Sequence, residues 1–137
     1  MLRVIIAGSR DFNDYHLLKT ACSSIFYKLA SKCVINKSNI EVVSGGARGA
    51  DSLGERFATE NGIQIKRFPA NWNAYGKRAG YIRNNQMAEY ASDGDNYGVL
   101  IAFWDGKSKG TKNMFDIAKR KGIETYVIDY ENRCVLK

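Results

Sequence analysis

The chain has 137 residues, of which 45% are hydrophobic and 26% charged, with 13 glycines and a single proline. This length is typical of one domain with its own core, and the composition excludes collagen-like, disordered and proline-rich proteins. No apolar run reaches the roughly 20 residues of a membrane span, and the apolar start at Met1–Gly8 is shorter than a secretory signal. We therefore expect residues 1–137 to form one domain with no membrane partner. The net charge of +7 favours anionic partners.

Apolar patterning predicts strands and helices that alternate along the chain. The predicted elements are a strand over 2–7, a helix over 14–32 capped by Asp11 or Asn13, a strand over 40–44, a helix from Ala50 to Gly62, a strand over 63–68, a helix over 79–90, a strand over 97–104, a helix around Met114 that ends at Gly122, and a strand over 123–129. This order predicts an α/β fold, in which a mostly parallel sheet of five or slightly more strands lies between layers of helices.

The cysteines and the single histidine argue against metal and redox chemistry. Cys22, Cys33 and Cys134 are odd in number and lack Cys-x-x-Cys spacing, which favours free thiols in a reducing cytoplasm. His16 lies near a predicted helix start, where an ordinary helix residue is a better interpretation than a triad base or a zinc ligand. We expect neither a metal site nor a cofactor.

Glycine-rich or polar loops follow the first, second and fourth strands. Ligands of open parallel sheets bind outside the carboxyl ends of the strands, at the switch point in strand order. A strand order of 3-2-1-4-5 brings these three loops to one crevice. The first loop, Gly8-Ser9-Arg10, ends a strand in a sharp turn and offers donors for a phosphate or ribose. The alternative is a tight turn with an exposed arginine.

The second loop is Ser44-Gly45-Gly46-Ala47-Arg48-Gly49-Ala50-Asp51. Its glycines let backbone amides approach an anion beside a helix N-terminus. Arg48 suits a phosphate, and Asp51 suits either a helix cap or ribose hydroxyls. The spacing matches neither a Walker motif nor Gly-x-Gly-x-x-Gly. A structural glycine turn is the alternative, although it explains the serine, arginine and aspartate less well.

The third loop follows the strand that ends at Trp104 and contains Gly106, Ser108, Gly110 and Thr111. Its hydroxyls and amides form a second candidate anion cradle at a helix N-terminus. The alternative is a solvated lysine loop with a capping threonine, and Trp104 fits the core better than a stacked base.

Between these loops lie Asn71-Trp72 and Arg83-Asn84. Arg83 falls at the edge of an apolar helix face, an awkward position for a solvated arginine, and is a candidate for reaching a ligand. Snorkelling to solvent is the alternative.

These motifs occur in the order found in the YspA-like branch of the SLOG superfamily, which the chain resembles over roughly residues 2–128; they are Gly8-Ser9-Arg10, the loop 44–51, Pro69-Ala70-Asn71-Trp72, Arg83-Asn84 with Met87, and residues 103–111. The resemblance implies a Rossmann-like, three-layer nucleotide-binding domain. Relatives include the DNA-processing protein A family and the lonely-guy phosphoribohydrolases, which bind nucleotides, nucleotide-derived signals or nucleic acid. Such proteins occur in bacteria and their phages, which implies the cytosol of a bacterium or of a phage host.

The resemblance also bears on catalysis. The phosphoribohydrolases carry Gly-Gly-x-Gly-Thr-x-x-Glu, and this glutamate and an upstream arginine serve N-glycosidic cleavage. Here Met114 stands at the glutamate position after Gly110-Thr111, while Arg83 matches the arginine. Asp105 and Asp51 are the remaining candidate carboxylates, in a different geometry. The departure favours binding over hydrolysis.

Three hypotheses follow, and the first is the leading one. The chain binds, senses or sequesters a nucleotide or nucleotide-derived signal such as an ADP-ribose-like or cyclic nucleotide molecule; it is an N-glycosidic hydrolase; or it binds single-stranded nucleic acid. Part of the positive charge falls in the candidate loops, which favours a compact phosphorylated ligand; these residues are Arg10, Arg48, Arg83, Lys107 and Lys109. A homodimer or larger homo-oligomer is a further expectation, with Tyr27, Tyr75 and Tyr130 as exposed aromatics for an interface.

Overall fold

The computed structural model describes residues 1–32 and 38–132, together with the backbone of a short strand at 134–136. The elements in chain order are β1 (Leu2–Gly8), α1 (Tyr15–Ala30), β2 (Ile40–Ser44), α2 (Ala50–Glu60), β3 (Gln64–Arg67), α3 (Trp72–Tyr75), a 3-10 turn (Gly76–Arg78), α4 (Ala79–Ser92), β4 (Tyr97–Trp104), α5 (Lys109–Arg120), β5 (Glu124–Asp129) and β6 (Cys134–Leu136). Cys22 is a buried free thiol. Cys33 and the side chain of Cys134 lie outside the described residues.

The strands form one sheet in the order β3-β2-β1-β4-β5-β6. The first five strands of this order pair in parallel, and β6 adds an antiparallel edge to β5. The longest pairing joins β1 to β4, from Leu2 opposite Tyr97 to Gly8 opposite Phe103. The predicted α/β class and the strand order 3-2-1-4-5 are confirmed, and β6 makes the sheet slightly larger than five strands.

Helices cover both faces of the sheet and make the three-layer arrangement expected of a Rossmann-like domain. Alternate side chains of a strand point to opposite faces, so Val4 and Ile6 of β1 join one core cluster while Ile5 and Ala7 join the other. The first cluster packs under α1 and α2. The second packs under α4 and α5. Because β1 is buried on both faces, the position of its carboxyl end is fixed by the core.

One helix cap and one short helix differ from the prediction. The cap of α1 is Asp14, whose Oδ1 accepts the Leu17 amide at 3.0 Å, so the prediction of Asp11 or Asn13 was wrong. A capping side chain must directly precede the first helical residue to reach that amide. The short helix α3 was not predicted, because its residues bury no apolar face and show no periodicity. Its cap is Asn71, which accepts the Ala74 amide at 3.1 Å.

The positions of three other residues bear on the sequence predictions. His16 is exposed in the first turn of α1, as expected of an ordinary helix residue. Tyr27 is 84% exposed, but Tyr130 packs edge-on against Phe12, with 4.7 Å between ring centroids. The prediction of Tyr130 as an exposed aromatic was therefore wrong.

Among the described helices, none has both the length and the apolarity that crossing a membrane requires.

Candidate functional site

A cleft of about 380 Å³ opens at the carboxyl ends of β1 and β4, beside the loop that follows β2. We call it the main cleft. Because β1 lies between β2 and β4, this is the switch point of the sheet, where ligands of open α/β folds bind. The volume falls in the range of small-molecule sites, roughly 300–1,000 Å³. Its lining comprises Ala7, Gly8, Ser9, Arg10, Asp11, Ala47, Asp51, Trp72, Lys77, Gly80, Tyr81, Arg83, Asn84, Met87, Asp105, Ser108, Gly110, Thr111 and Met114.

The floor of the main cleft is the tight turn at the end of β1. A Cβ atom at Gly8 would overlap the carbonyl oxygen of Phe103 and lie 2.8 Å from Cβ of Ala50, so only glycine permits this close packing of β1, β4 and α2. The Ser9 amide donates to the same carbonyl oxygen at 2.9 Å. The Ser9 hydroxyl accepts the Asp105 amide at 3.3 Å, which links the first loop to the third.

The second loop contributes its later residues to the main cleft. Ser44 is fully buried and points toward α2, where its hydroxyl donates to Oε2 of Glu55 at 2.7 Å and accepts the Gly46 amide at 3.1 Å. Ala47 and Asp51 face the main cleft instead. Ser44 therefore stabilises the loop on the α2 side and does not line the main cleft.

Arg83 and Asp51 bring opposite charges together at the wall of the main cleft. Arg83 reaches from α4, donating from Nη1 to the Gly45 carbonyl oxygen at 2.7 Å and from Nε to Oδ1 of Asn84 at 3.1 Å. Asp51, only 4% exposed, accepts the amide of Ala47 at 3.4 Å and lies near the amide of Gly8. A Cβ atom at Gly45 would overlap Nη1 of Arg83 and lie 2.7 Å from Oδ2 of Asp51. Glycine at this position leaves the space that the Arg83 guanidinium and the Asp51 carboxyl occupy on either side of the loop.

Burial is the largest cause of the pKa shifts of both Asp51 and Arg83. It raises the pKa of Asp51 to about 6, although the Arg83 charge and the amides of Ala47 and Gly8 act in the opposite direction. Burial also lowers the pKa of Arg83, against the favourable charge of Asp51, and the nearby charge of Arg10 lowers it further. A carboxyl that titrates near neutrality thus lines a cleft with two arginines.

Asp51→Asn is expected to change the pH dependence of stability. The pKa of Asp51 is higher in the folded chain, about 6, than its ordinary value of 3.8, so this group favours folding most below about pH 4, and that contribution is lost as the pH rises through 6. Between pH 4 and pH 7 the wild type should lose about 2 kcal/mol of unfolding free energy relative to the variant. Urea denaturation at both pH values measures this difference, and parallel pH profiles would contradict it.

The third loop is organised by Asp105. Its Oδ1 accepts the amides of Lys107 at 2.8 Å and Ser108 at 2.7 Å. Burial alone would raise the pKa of Asp105, but these amides and the Ser9 hydroxyl outweigh it and hold the pKa below its usual value. Ser108 caps α5 by accepting the Thr111 amide at 3.3 Å. The N-terminus of α5 is thereby fixed at the edge of the main cleft.

Two further predicted residues support this loop through side-chain hydrogen bonds. The indole N–H of Trp104 donates to the Ser108 carbonyl oxygen at 3.0 Å, and its ring packs edge-on against Phe115. Trp104 therefore holds the loop from outside the cleft. Asn84 lines the cleft and donates from Nδ2 to the Gly110 carbonyl oxygen at 3.2 Å and to Oδ1 of Asn113 at 3.0 Å, which joins α4 to α5.

The structure brings most of the predicted ligand-binding residues together. Those that line the main cleft are Gly8, Ser9, Arg10, Ala47, Asp51, Trp72, Arg83, Asn84, Ser108, Gly110 and Thr111. An adjoining groove of about 480 Å³, which shares Arg10, Ala47, Trp72 and Arg83 with the main cleft, adds Gly45, Gly46 and Arg48. The structure places four predicted residues outside both, namely Ser44, Asn71, Trp104 and Gly106; the predicted cations Lys107 and Lys109 also lie outside both.

The sequence interpretation missed part of the lining that α4 and the turn before it supply. Gly80 and Met87 were missed, although they share one helix face with the predicted Arg83 and Asn84 at three- and four-residue steps, a signal that was available in the sequence. Tyr81 and Lys77 carried no comparable signal, because the 3-10 turn that positions Lys77 has no apolar pattern. Met114, at the position of the relatives' glutamate, adds a buried apolar patch to the cleft. Among the described residues, no three His, Cys, Asp or Glu residues are grouped so as to hold a metal ion.

Comparison with known proteins identifies the family. The model of the YspA, cpYpsA-related SLOG family matches residues 2–75, more than half of the chain. The chain belongs to this family. The SLOG chain is also 33% identical over 128 residues to the Gene 61 protein of Mycobacterium phage D29, which covers 90% of this chain and 93% of that relative. No solved structure gives a significant match. The resemblance seen in the sequence is confirmed, and SLOG membership indicates nucleotide-related binding or processing.

Proposed function

We propose that the main cleft binds a nucleotide or a nucleotide-derived signal, such as an ADP-ribose-like or cyclic nucleotide molecule, so that the protein senses or sequesters it. The observation that carries this proposal is the convergence of Arg10 and Arg83 on a cleft at the switch point of the sheet. Their positive charges oppose each other closely enough to affect ionisation of Arg83. An anionic ligand between them would relieve that repulsion.

The N-terminus of α5 supports the same ligand chemistry. The first amides of a helix have no acceptor within the helix, and the helix dipole favours negative charge there. Gly110 and Thr111, in the first turn of α5, line the main cleft together with the Ser108 hydroxyl. Because the Ser108 hydroxyl already accepts the Thr111 amide, a phosphate at this end of the cleft would receive a hydrogen bond from the Gly110 amide as well as charge from the arginines.

Hydrolysis is the second candidate, and one observation favours it. Asp51 lines the main cleft beside Arg83 with a pKa of about 6, which suits a group that gives and takes a proton near neutral pH. Against this, Asp51 and Asp105 both accept backbone amides that hold the loops in place. Met114 leaves no carboxylate at the position of the relatives' glutamate. These contacts support binding as the first function.

Calorimetric titration with AMP, cyclic AMP, ADP-ribose and inorganic phosphate tests the proposal. We expect saturable binding of at least one nucleotide, and a folded protein that binds none of them would overturn it. The AMP mixture, incubated and separated by chromatography, shows free adenine and ribose 5-phosphate if the protein is an N-glycosidic hydrolase. Tight binding of a single-stranded oligonucleotide that falls steeply with salt would instead favour nucleic acid as the ligand.

Arg10→Ala is expected to weaken nucleotide binding by at least about tenfold without unfolding the protein. Arg10 is exposed at the rim of the cleft, and a charge-assisted hydrogen bond contributes roughly 1.5–3 kcal/mol. Calorimetry of the variant measures the loss. Arg120→Ala is the matched control, because Arg120 is exposed at the opposite end of α5. Equal affinities for the Arg10 and Arg120 variants would remove Arg10 from the site.

A further inference from the structure

Two exposed aromatic rings line the main cleft. Trp72 of α3 is 49% exposed and Tyr81 of α4 is 45% exposed. Of the large hydrophobic side chains that are exposed in the described part of the chain, these two and Tyr75 fall within ten residues of one another. Aromatic rings of this size usually bury their faces, so the cluster indicates a surface that meets another flat, apolar group.

Neither ring has an aromatic partner among the described residues, although aromatic pairs are common elsewhere in this fold. Phe12 stacks on Phe103, and Trp104 packs edge-on against Phe115. Trp72 instead lies over the start of α4, where a Cβ atom at Gly80 would be 3.6 Å from its Cη2 atom. The Arg10 guanidinium carbon is 5.6 Å from the centroid of its ring. The Arg10 charge and the half-exposed ring of Trp72 are thus adjacent, as phosphate and base are in a nucleotide.

We propose that Trp72 and Tyr81 form the base-binding part of the main cleft, where the planar base of a nucleotide stacks while Arg10 and Arg83 hold its phosphate. This inference rests on the proposed function and names the part of the ligand that these rings recognise. A base stacks on an aromatic ring whatever its hydrogen-bonding edge, so the rings select nucleotides over sugar phosphates rather than one base over another. Trp72 lines both the main cleft and the adjoining groove and is half exposed, so its ring is accessible to a ligand from solvent.

The test compares AMP with ribose 5-phosphate, which is AMP without its base. The wild type is expected to bind AMP roughly 5- to 100-fold more tightly, and Trp72→Ala to abolish most of that preference while leaving ribose 5-phosphate affinity unchanged. Tyr81→Ala should reduce the preference in the same direction. Tyr27→Ala is the control for an exposed ring, because Tyr27 lies on α1, outside the main cleft and the adjoining groove. Circular dichroism verifies that each variant is folded.

Each outcome separates the two proposals. Undiminished preference for AMP in Trp72→Ala, or a wild type that binds AMP and ribose 5-phosphate equally, would overturn the base-binding inference and leave phosphate binding intact. A folded wild type that binds neither of these compounds nor cyclic AMP, ADP-ribose or phosphate would overturn the proposed function itself. If Trp72→Ala keeps its AMP affinity but changes from an oligomer to a smaller species in sedimentation, the rings belong to an interface between copies, and the inference is also overturned.

Tryptophan fluorescence gives an independent readout, since the chain contains two tryptophans, Trp72 and Trp104. A base stacked on Trp72 should quench the wild-type emission on AMP addition, whereas ribose 5-phosphate should not. Trp72→Phe keeps an aromatic ring and is expected to retain AMP binding but lose the quenching, because Trp104 packs outside the cleft. Quenching by AMP that persists in Trp72→Phe would place the base away from Trp72.

Discussion

Arg83→Met is expected to lower the free energy of unfolding by about 3 kcal/mol at pH 7. The substitution removes two hydrogen bonds, to the Gly45 carbonyl oxygen and to Asn84, and leaves the buried Asp51 without the charge that opposes its desolvation. A hydrogen bond made by a charged group contributes roughly 1.5–3 kcal/mol, and the uncompensated charge of Asp51 adds to the loss. Urea denaturation measures the loss. Arg78→Met, at an exposed arginine in the preceding 3-10 turn, should stay within about 0.5 kcal/mol of the wild type.

The dependence of this loss on Asp51 distinguishes an electrostatic cause from a packing cause. At pH 5 Asp51, with its pKa of about 6, is largely protonated and needs no counter-charge, so Arg83→Met should cost less there than at pH 7. Asp51→Asn introduced into the Arg83→Met chain should recover part of the loss at pH 7. A double-mutant cycle with no coupling between the two positions would show that Arg83 acts through its hydrogen bonds alone.

The sequence predicted the sheet well because its central strands are buried on both faces. The run Tyr97–Trp104 is continuously apolar, and its predicted bounds agree with those of β4. The order of helices and strands then restricts the topology, since parallel crossovers are right-handed. The predictions that failed concern short or polar features. The helix α3 spans one turn without a buried residue, and the cap at Asp14 depends on a single side-chain hydrogen bond. Such features depend on local geometry and leave no hydrophobic periodicity in the sequence from which they could be predicted.

The position of the candidate site followed from topology, while the orientation of individual side chains did not. Arg83 was predicted from its place at the edge of an apolar helix face, and the structure places it in the cleft wall. Ser44, like Ser9, stands beside a glycine at the end of a strand. Its side chain nevertheless points away from the cleft, because strand alternation turns it toward α2, where it donates to Glu55. Trp72 was predicted, but Tyr81 was not, because an exposed tyrosine on α4 adds nothing to the buried apolar pattern of that helix.

Gly49→Ala is expected to cost more than about 3 kcal/mol of unfolding free energy. Gly49 has a φ of 81°, and a Cβ atom there would overlap the Ser9 carbonyl oxygen and lie 2.5 Å from that of Arg10. Backbone carbonyls cannot rotate out of the way as side chains do. The first and second loops would have to separate, breaking the bond from the Ala50 amide to the Ser9 carbonyl oxygen.

Gly46→Ala isolates the steric part of this effect. Gly46 also has a positive φ, 71°, but nothing lies within 4 Å of the Cβ position. Its variant should therefore lose only the conformational cost of a left-handed alanine, about 1 kcal/mol. Urea denaturation of the two variants compares them directly, and equal losses would show that φ rather than the contact with the first loop makes Gly49 necessary. Because Ser9 and Arg10 line the main cleft, Gly49→Ala should also weaken the proposed nucleotide binding, whereas Gly46→Ala should leave the first loop in place.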